Sequence, residues 1–436
     1  MKKMLISMLI AYVCISAYII FLFPSQTGKE KKAALYSSDY RSGSRKDGIM
    51  LLEDPIRSGA VRIQLINQAQ DTIDIAYHTL SEGTYSDYFF KSIIEAADRG
   101  VKVRILWDGL IGGMKGKIMR ALASHENIEL HLFEPLNLLK PWTLHHRLHD
   151  KILLIDGKYL ISGGRNIADK LYDPPGYSKT IVYDRDIMII REGEQSVMDD
   201  VESYFNELLD FKGTKRITKH DQRALEEYRS KQIGYETVML YRTDPGIFEK
   251  NQVHDAFITL VTNPIGRGSN EPWIWDAIAA ICGKAEKRIL FQSPYLVPRI
   301  SQIKEMGNWK VKPEFLTNSI STTPNIPGFS AYLRVRTKLR SLFEVDEYMG
   351  PGSIHAKTIL VDYDISIIGS FNLDPRSTHL DTESMYVISS PDFNSQMEQV
   401  LSYYRDVEFG ANEASFLKKT VFSIASILLL PVKLLV

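Results

Sequence analysis

Two short stretches carry residue types suited to phosphate chemistry. The first is His149-x-Lys151 with Asp156 downstream; the second is His355-x-Lys357 with Asp362. Side chains alternate faces along a strand, so a histidine and lysine two apart point the same way. An ammonium neutralises the non-bridging oxygens of a phosphate. A neighbouring imidazole can attack phosphorus or move a proton. Each stretch leads to a glycine-containing turn and an asparagine, Gly163-Gly164-Arg165-Asn166 and Gly369-Ser370-Phe371-Asn372, and the histidine-to-asparagine spacing is 17 in both. An asparagine amide can donate to the same oxygens, and glycine lets the backbone approach a ligand closely. Asn166, Asn372, Gly164 and Ser370 are therefore candidate substrate-binding residues. A single motif of this kind is weak evidence; two with matched companions in equivalent places make coincidence implausible. Asp156 and Asp362 complete the candidate catalytic set. Both adjoin turns, where a structural hydrogen-bonding role competes with a catalytic one.

The elements that must position these residues form an internal repeat. In the first copy Asp71 to His78 reads as a buried strand. A helix follows with Phe89, Phe90, Ile93, Ile94 and Ala97 on one face, capped near Gly100. Val101 to Trp107 and Ile128 to Phe133 read as strands, with a helix over Lys115 to Ser124 between them. His149 to Gly164 forms two strands about a tight Asp156-Gly157 turn. The second copy repeats this order, with a helix near Trp273 to Lys287 and a strand over Arg288 to Gln292. Further strands are expected at Phe315 to Thr317 and Leu342 to Val345, then a strand pair over His355 to Gly369. Alternating strands and helices imply α/β layers, and two similar copies imply a pseudo-symmetric, two-lobed body with the site between lobes. The expected boundaries are an N-terminal anchor and start of a linker at 1–27, linker 28–48, first lobe 49–213, charged connector 214–235, second lobe 236–413 and a C-terminal apolar segment 414–436.

The ends of the chain point to a membrane. Met4 to Phe23 is uncharged over about 20 residues, enough to span a bilayer as a single N-terminal anchor. It lacks the small-residue exit of a cleaved signal peptide. The C-terminal apolar segment, flanked by Lys418, Lys419 and Lys433, reads as lying in the interface; a terminal helix packed on the core is the alternative. Lys plus Arg equals Asp plus Glu at 53 each, so the formal net charge is zero. A nucleic-acid partner, which favours a basic excess, is not expected. The two cysteines, Cys14 and Cys282, give neither a disulfide framework nor a zinc spacing. His131, His145 and His146 invite a metal reading, but no carboxylate or thiol spacing supports one. Tyr77, His78, Pro294 and Tyr295 fall at equivalent strand ends, suited equally to core packing and to lining a substrate channel.

The paired HxKx4D motifs, each followed by glycine and asparagine, resemble those of the phospholipase D superfamily, over most of residues 45 to 410. Arg376-Ser377, Gln292-Ser293-Pro294-Tyr295 and Leu316-Thr317-Asn318-Ser319 also resemble segments of bacterial cardiolipin synthases. The resemblance implies two phospholipase D-like lobes, each a mixed β-sheet flanked by helices. It implies a two-step reaction through a phosphohistidine, with His149 as nucleophile and His355 as general acid and base. The near-equivalence of the copies leaves that order open to the residues alone. A nucleophilic imidazole needs a carboxylate on its other nitrogen. Relatives place one some ten residues past the asparagine. Glu383 fits, 11 past Asn372; the first-copy match is expected to be Asp186, 20 past Asn166, after an insertion around Asp173 to Tyr183. No cofactor or metal is expected, because Lys151, Lys357, Asn166 and Asn372 would supply the charge stabilisation. The function implied is phosphatidyl transfer at a bacterial cell membrane, making cardiolipin from phosphatidylglycerol or a similar lipid, with phospholipids and the bilayer as partners. The alternative is hydrolysis to phosphatidic acid. A phosphodiesterase or nuclease, and a non-catalytic lipid-binding protein, are the weaker readings. The oligomeric state is not encoded in any of these features.

Overall fold

Apolar alternation builds strands in the same order in both halves of the chain. The structure, a computed structural model, describes residues 11–12, 15–16, 29–43, 45–111, 116–137, 139–242, 252–406 and 414–430. The first half supplies β1 (Lys46–Leu52), β2 (Thr72–Tyr77), β3 (Lys102–Asp108), β4 (Ile128–Phe133), β5 (Lys151–Ile155), β6 (Tyr159–Gly163), β7 (Val182–Tyr183), β8 (Asp186–Arg191) and β9 (Thr214–Arg216). The second supplies β10 (Val253–Thr262), β11 (Ile289–Gln292), β12 (Glu314–Asn318), β13 (Val345–Tyr348), β14 (Ser353–Ile354), β15 (Thr358–Val361), β16 (Ile365–Gly369) and β17 (Ser384–Ser389). One mixed sheet runs β9-β4-β3-β2-β5-β6-β8-β1 through the first half and β10-β17-β16-β15-β11-β12-β13 through the second. The halves join where β1 and β10 pair antiparallel, about a pseudo-twofold axis. The two remaining strands, β7 and β14, pair across the halves on their own.

Strand alternation divides the core. Leu153 of β5 enters a core belonging to the first half, and Ile359 of β15 enters its counterpart in the second. Ile152, Leu154, Leu360 and Ile368 face the other way, into a third core shared by both halves. The helices Val197–Asp210 and Pro391–Asp406 carry residues of that shared core. The first buries Val197, Val201, Phe205 and Leu208, and Ser196 caps it by accepting from the Met198 amide at 3.1 Å. Burying aliphatic side chains of this size contributes roughly 1.5–3 kcal/mol each, so the shared layer binds the two halves firmly.

Several boundaries differ from the sequence expectation. Residues 29–37 of the expected linker form a helix, and Leu35 and Tyr40 enter the second core. β1 begins at Lys46 and lies at the centre of the sheet. The charged connector is part of the first half: β9 pairs with β4, and the helix Gln222–Ser230 buries Ala224 and Leu225 in the first core. Three hydrophobic residues in nine, Ala224, Leu225 and Tyr228, do not stand out from their charged neighbours, which hid that packing. The strand expected at 342–345 is instead the end of the helix Ile326–Leu342 and the start of β13.

Both ends of the chain matter to the membrane question. Apart from residues 11–12 and 15–16, the expected anchor Met4 to Phe23 lies outside the described residues. No helix among the described residues is long and apolar enough to cross a membrane. The C-terminal helix Phe416–Leu428 packs through Phe422, whose ring meets Phe329 edge-on at 5.4 Å. Its outward face is unusual: Phe416 is 85%, Leu417 73%, Ile427 68% and Leu428 70% exposed.

The Asp156 and Asp362 carboxylates face away from the chemistry. Each ends the strand that its motif begins, seven residues and roughly 20–25 Å beyond the histidine at about 3.3 Å per residue. Asp156 accepts from the Gln70, Asp71 and Thr72 amides at 3.0, 2.8 and 2.9 Å. Asp362 accepts from the Glu286, Lys287 and Arg288 amides at 3.0, 2.8 and 3.3 Å. Both residues have positive φ, 52° in each case, in the turn that reverses the strand. They anchor the chain entering β2 and β11, so their expected catalytic part is corrected to a structural one. Asp156→Ala or Asp362→Ala removes the side-chain acceptor from three amides and is expected to cost about 1–3 kcal/mol in urea unfolding. Lost activity with unchanged stability contradicts this assignment.

Candidate active site

Each motif strand begins against a segment of the other half. The His149 amide donates to Thr382 O at 3.1 Å, and the Thr382 amide donates back to Arg147 O at 3.0 Å. In the mirror arrangement, the His355 amide donates to Tyr183 O at 2.6 Å and the Ser353 amide to Ile181 O at 3.2 Å. These ladders place the next side chain of each segment on the opposing histidine. His149 Nδ1 lies 2.9 Å from both Glu383 carboxylate oxygens. His355 Nδ1 lies 2.7 Å from Asp184 Oδ2. With Nδ1 engaged on both rings, Nε2 is the atom left to meet a ligand. His149, His355, Asn166 and Asn372 line a single cavity of about 360 Å³.

The lysines are held in place by their own motifs. Lys151 donates to His149 O and Lys357 to His355 O, and Lys357 Nζ also lies 2.8 Å from His355 Nδ1. Asn166 Oδ1 accepts from the Thr79 amide at 3.0 Å, which fixes the amide on the cavity wall. Two other expected substrate contacts act one layer back. Ser370 donates to Glu383 and is absent from the cavity lining. Gly164 sits against Asp184, where a Cβ would overlap the carboxylate. The glycine is needed for that close approach rather than for a ligand.

Asp186 does not orient a histidine. Its carboxylate binds Arg62 at 2.9 Å, Arg165 at 3.1 Å and Ser58 at 2.9 Å, within the first half. Asp184 takes the orienting position instead. The register identifies it: the Gly164 amide donates to Arg185 O at 2.9 Å and the Ser370 amide to Ser384 O at 3.0 Å. Arg185 thus matches Ser384, and Asp184 matches Glu383. Counting forward from Asn166 fails, because the intervening segment includes a turn of helix at Asp169–Leu171 and β7. Other cavity residues not singled out for substrate contact are Ile111, Asn325, Gly328, Asp374 and Asp381. His78 and Tyr295 also line it; their rings meet His149 and His355 edge-on, with centroids at 4.9 and 6.2 Å. His145 and His146 are buried beside the site, on Ser16 Oγ at 2.7 Å and on the Gly268 amide at 3.0 Å respectively.

Burial sets the charge states. It depresses His149 well below the usual imidazole range and His355 to about 4, with Lys151 and Lys357 adding to the effect. Burial likewise lowers Lys151 to about 8 and raises Glu383, against the pull of Lys151. Burial pushes Asp184 upward too, but the Lys357 ammonium and His355 outweigh it and hold the carboxyl below its usual range. The resting site thus has two neutral imidazoles beside two ammonium groups, ready for an anion. Burial lowers further imidazoles: His78, His145 and His379 to about 4, and His146 to about 3.

An imidazole that is neutral when folded and charged when unfolded makes the unfolded chain the better proton binder below about pH 6.5. Stability is therefore fully present above that pH and is lost as pH falls towards 4. Asp374, raised by burial to about 6, acts in the opposite sense, as do Glu383, Asp74, Asp150 and Asp381, which burial also raises, but these five are outnumbered by the six imidazoles. The urea midpoint, followed by tryptophan fluorescence, is expected to fall steadily from pH 6.5 to 4.5. A midpoint that rises on acidification contradicts this charge assignment.

Comparison with known proteins fits the duplicated architecture. The chain is 28% identical to cardiolipin synthase C of Escherichia coli over 393 residues, covering 79% of this chain and 81% of that protein. It is 25% identical to cardiolipin synthase 1 of Bacillus anthracis over 378 residues, covering 82% and 67%. Among solved structures, phosphatidylserine synthase of Haemophilus influenzae shares the fold with a TM-score of 0.64 at 15% identity, covering 94% of this chain and 99% of that one. The profile of the family described as cardiolipin synthase, phospholipase D-like domain, matches residues 62–209 and 278–404. Each matched stretch contains one motif histidine together with the acid that orients the other, and the chain belongs to that family of the phospholipase D superfamily.

Proposed function

We propose that this protein is a phosphatidyltransferase that makes cardiolipin from phosphatidylglycerol or a similar phospholipid. The observation that carries the reading is the pair of imidazoles on one cavity, each with Nδ1 on a carboxylate from the other half. One imidazole attacks phosphorus through Nε2 while the other, which takes up a proton from water as the anionic phosphodiester binds beside it, gives that proton to the departing alcohol. The second then deprotonates the incoming alcohol, which displaces the phosphohistidine. Lys151 and Lys357 neutralise the phosphoryl oxygens throughout, and Asn166 and Asn372 donate to them through Nδ2. As in the family pattern, His149 is assigned as nucleophile and His355 as acid and base. The names of the relatives support a lipid substrate, and so does the C-terminal helix. In a helix that meets only water and its own core, the outward face is polar. Here that face is Phe416, Leu417, Ile424, Ile427 and Leu428, a composition suited to lying in a bilayer interface.

Hydrolysis to phosphatidic acid is the second reading. The same groups serve it, and polar side chains such as Asn325, Asp374 and Ser377 line the cavity and can hold water there. The test is to incubate the full-length protein with phosphatidylglycerol in detergent micelles and analyse the lipids by mass spectrometry. Transfer yields cardiolipin and glycerol; hydrolysis yields phosphatidic acid and glycerol. His149→Ala and His355→Ala are each expected to lower the rate by a factor of at least about 10³. A phosphoryl adduct is expected on His149 in the His355→Ala protein. Full activity in both variants contradicts the mechanism, and an adduct on His355 in the His149→Ala protein reverses the assignment of roles.

A further inference from the structure

The two halves line the cavity differently. Both carboxylates on the lining, Asp374 and Asp381, come from the second half; besides His149 and Asn166, the first half contributes His78, Thr79 and Ile111. Asn372 stands with the two aspartates. It is more than nine-tenths buried, and its Oδ1 has no hydrogen-bond partner among the described residues. The symmetry-related Asn166 has one, the Thr79 amide. Arg376 also lines the cavity, where its Nη2 donates to Asp381 at 2.9 Å and to His145 O at 3.1 Å. Asp374 accepts from the Ser377 amide at 2.8 Å, which fixes its carboxyl at the head of the helix Pro375–His379. This wall therefore offers acceptors on Asn372 and Asp374, and Arg376, the cation on it, is already paired with Asp381. It repels a phosphate and suits a ligand rich in O–H donors. An ammonium ligand fits less well, because burial raises Asp374 to about 6 and lifts Asp381 also, which weakens both as cation partners.

Resting on the phosphatidyl-transfer reading above, we propose that Asn372, Asp374 and Asp381 form a polyol subsite that selects the alcohol. The subsite acts twice, because bond formation retraces bond cleavage. It first holds the glycerol head group that leaves the donor, and then the glycerol hydroxyl of the acceptor. In the second step the acceptor O–H gives its proton to His355 Nε2, and its oxygen bonds to phosphorus. The P–N bond to His149 breaks, and its electron pair returns to the imidazole.

The full-length protein in mixed micelles is given phosphatidyl-p-nitrophenol, whose leaving group is not a polyol, with glycerol, ethanolamine or water alone as acceptor. Nitrophenol release reports formation of the phosphatidyl-enzyme, and the lipid product reports what captures it. The wild type is expected to form phosphatidylglycerol in preference to phosphatidylethanolamine and phosphatidic acid. Asp374→Ser keeps the helix cap without the carboxylate, and Asp381→Asn keeps a partner for Arg376. Each is expected to lower the ratio of phosphatidylglycerol to phosphatidic acid about tenfold, the size of one lost hydrogen bond to a charged group. A product ratio is unaffected by how much of a variant is folded. Wild-type ratios in both variants overturn the subsite, as does a wild type that prefers ethanolamine. A wild type that releases no nitrophenol instead brings down the transfer reaction, and the subsite with it.

Discussion

Each motif histidine takes its carboxylate from the other half of the chain, and the backbone fixes that exchange. Glu383 immediately follows Thr382, which is paired to His149 through main-chain hydrogen bonds; Asp184 immediately follows Tyr183, which is paired to His355. The acid-bearing segments leave their own sheets just before β8 and β17 begin, and cross to the partner half. Neither half can orient its own imidazole, so the two copies act only as a pair. Arg185 reinforces the join: it donates to Gln292 and Thr358 of the second half, at 2.6 Å each, while holding Glu53 of the first at 2.7 Å. These polar groups are buried, and leaving any of them unpaired would cost roughly 1–3 kcal/mol. The registration of the halves is thereby fixed to within a hydrogen bond.

That registration makes a strongly charged interior tolerable. Two lysines, two histidines and two acids are buried around one cavity, and such groups are stable only when paired and hydrogen-bonded. Each lysine is pinned to the carbonyl of its own histidine and needs no ligand to hold it. Little reorganisation is then required when a phosphate enters, which is the condition for electrostatic stabilisation of a transition state. The same burial keeps the imidazoles neutral at rest, as a nucleophile must be.

The repeat, the motif strands and the two-lobed α/β body were legible in the sequence because each rests on local periodicity. β4 runs over the residues expected of it, and the helix Thr84–Asp98 buries the expected face of Phe89, Phe90, Ile93, Ile94 and Ala97. What could not be read depends on distant partners. Glu383 was recognisable from its spacing, but nothing local shows that it serves His149 rather than His355. Asp184 was displaced in favour of Asp186 because an insertion broke the count, and only strand register restores it. The carboxylates of Asp156 and Asp362 looked catalytic by their place in the motif; their amide partners lie 74 to 86 residues away in the chain. Ser370 and Gly164 support the acids rather than a ligand, a distinction set by tertiary packing.

The account depends on two imidazoles meeting one phosphorus from opposite halves. The most direct measurement is a crystal structure of the full-length protein with vanadate, which mimics a five-coordinate phosphoryl group. The account predicts vanadium bonded to Nε2 of one motif histidine, with Nε2 of the other within about 3 Å of a vanadate oxygen. Vanadate held by one half alone, with the second imidazole out of reach, contradicts it.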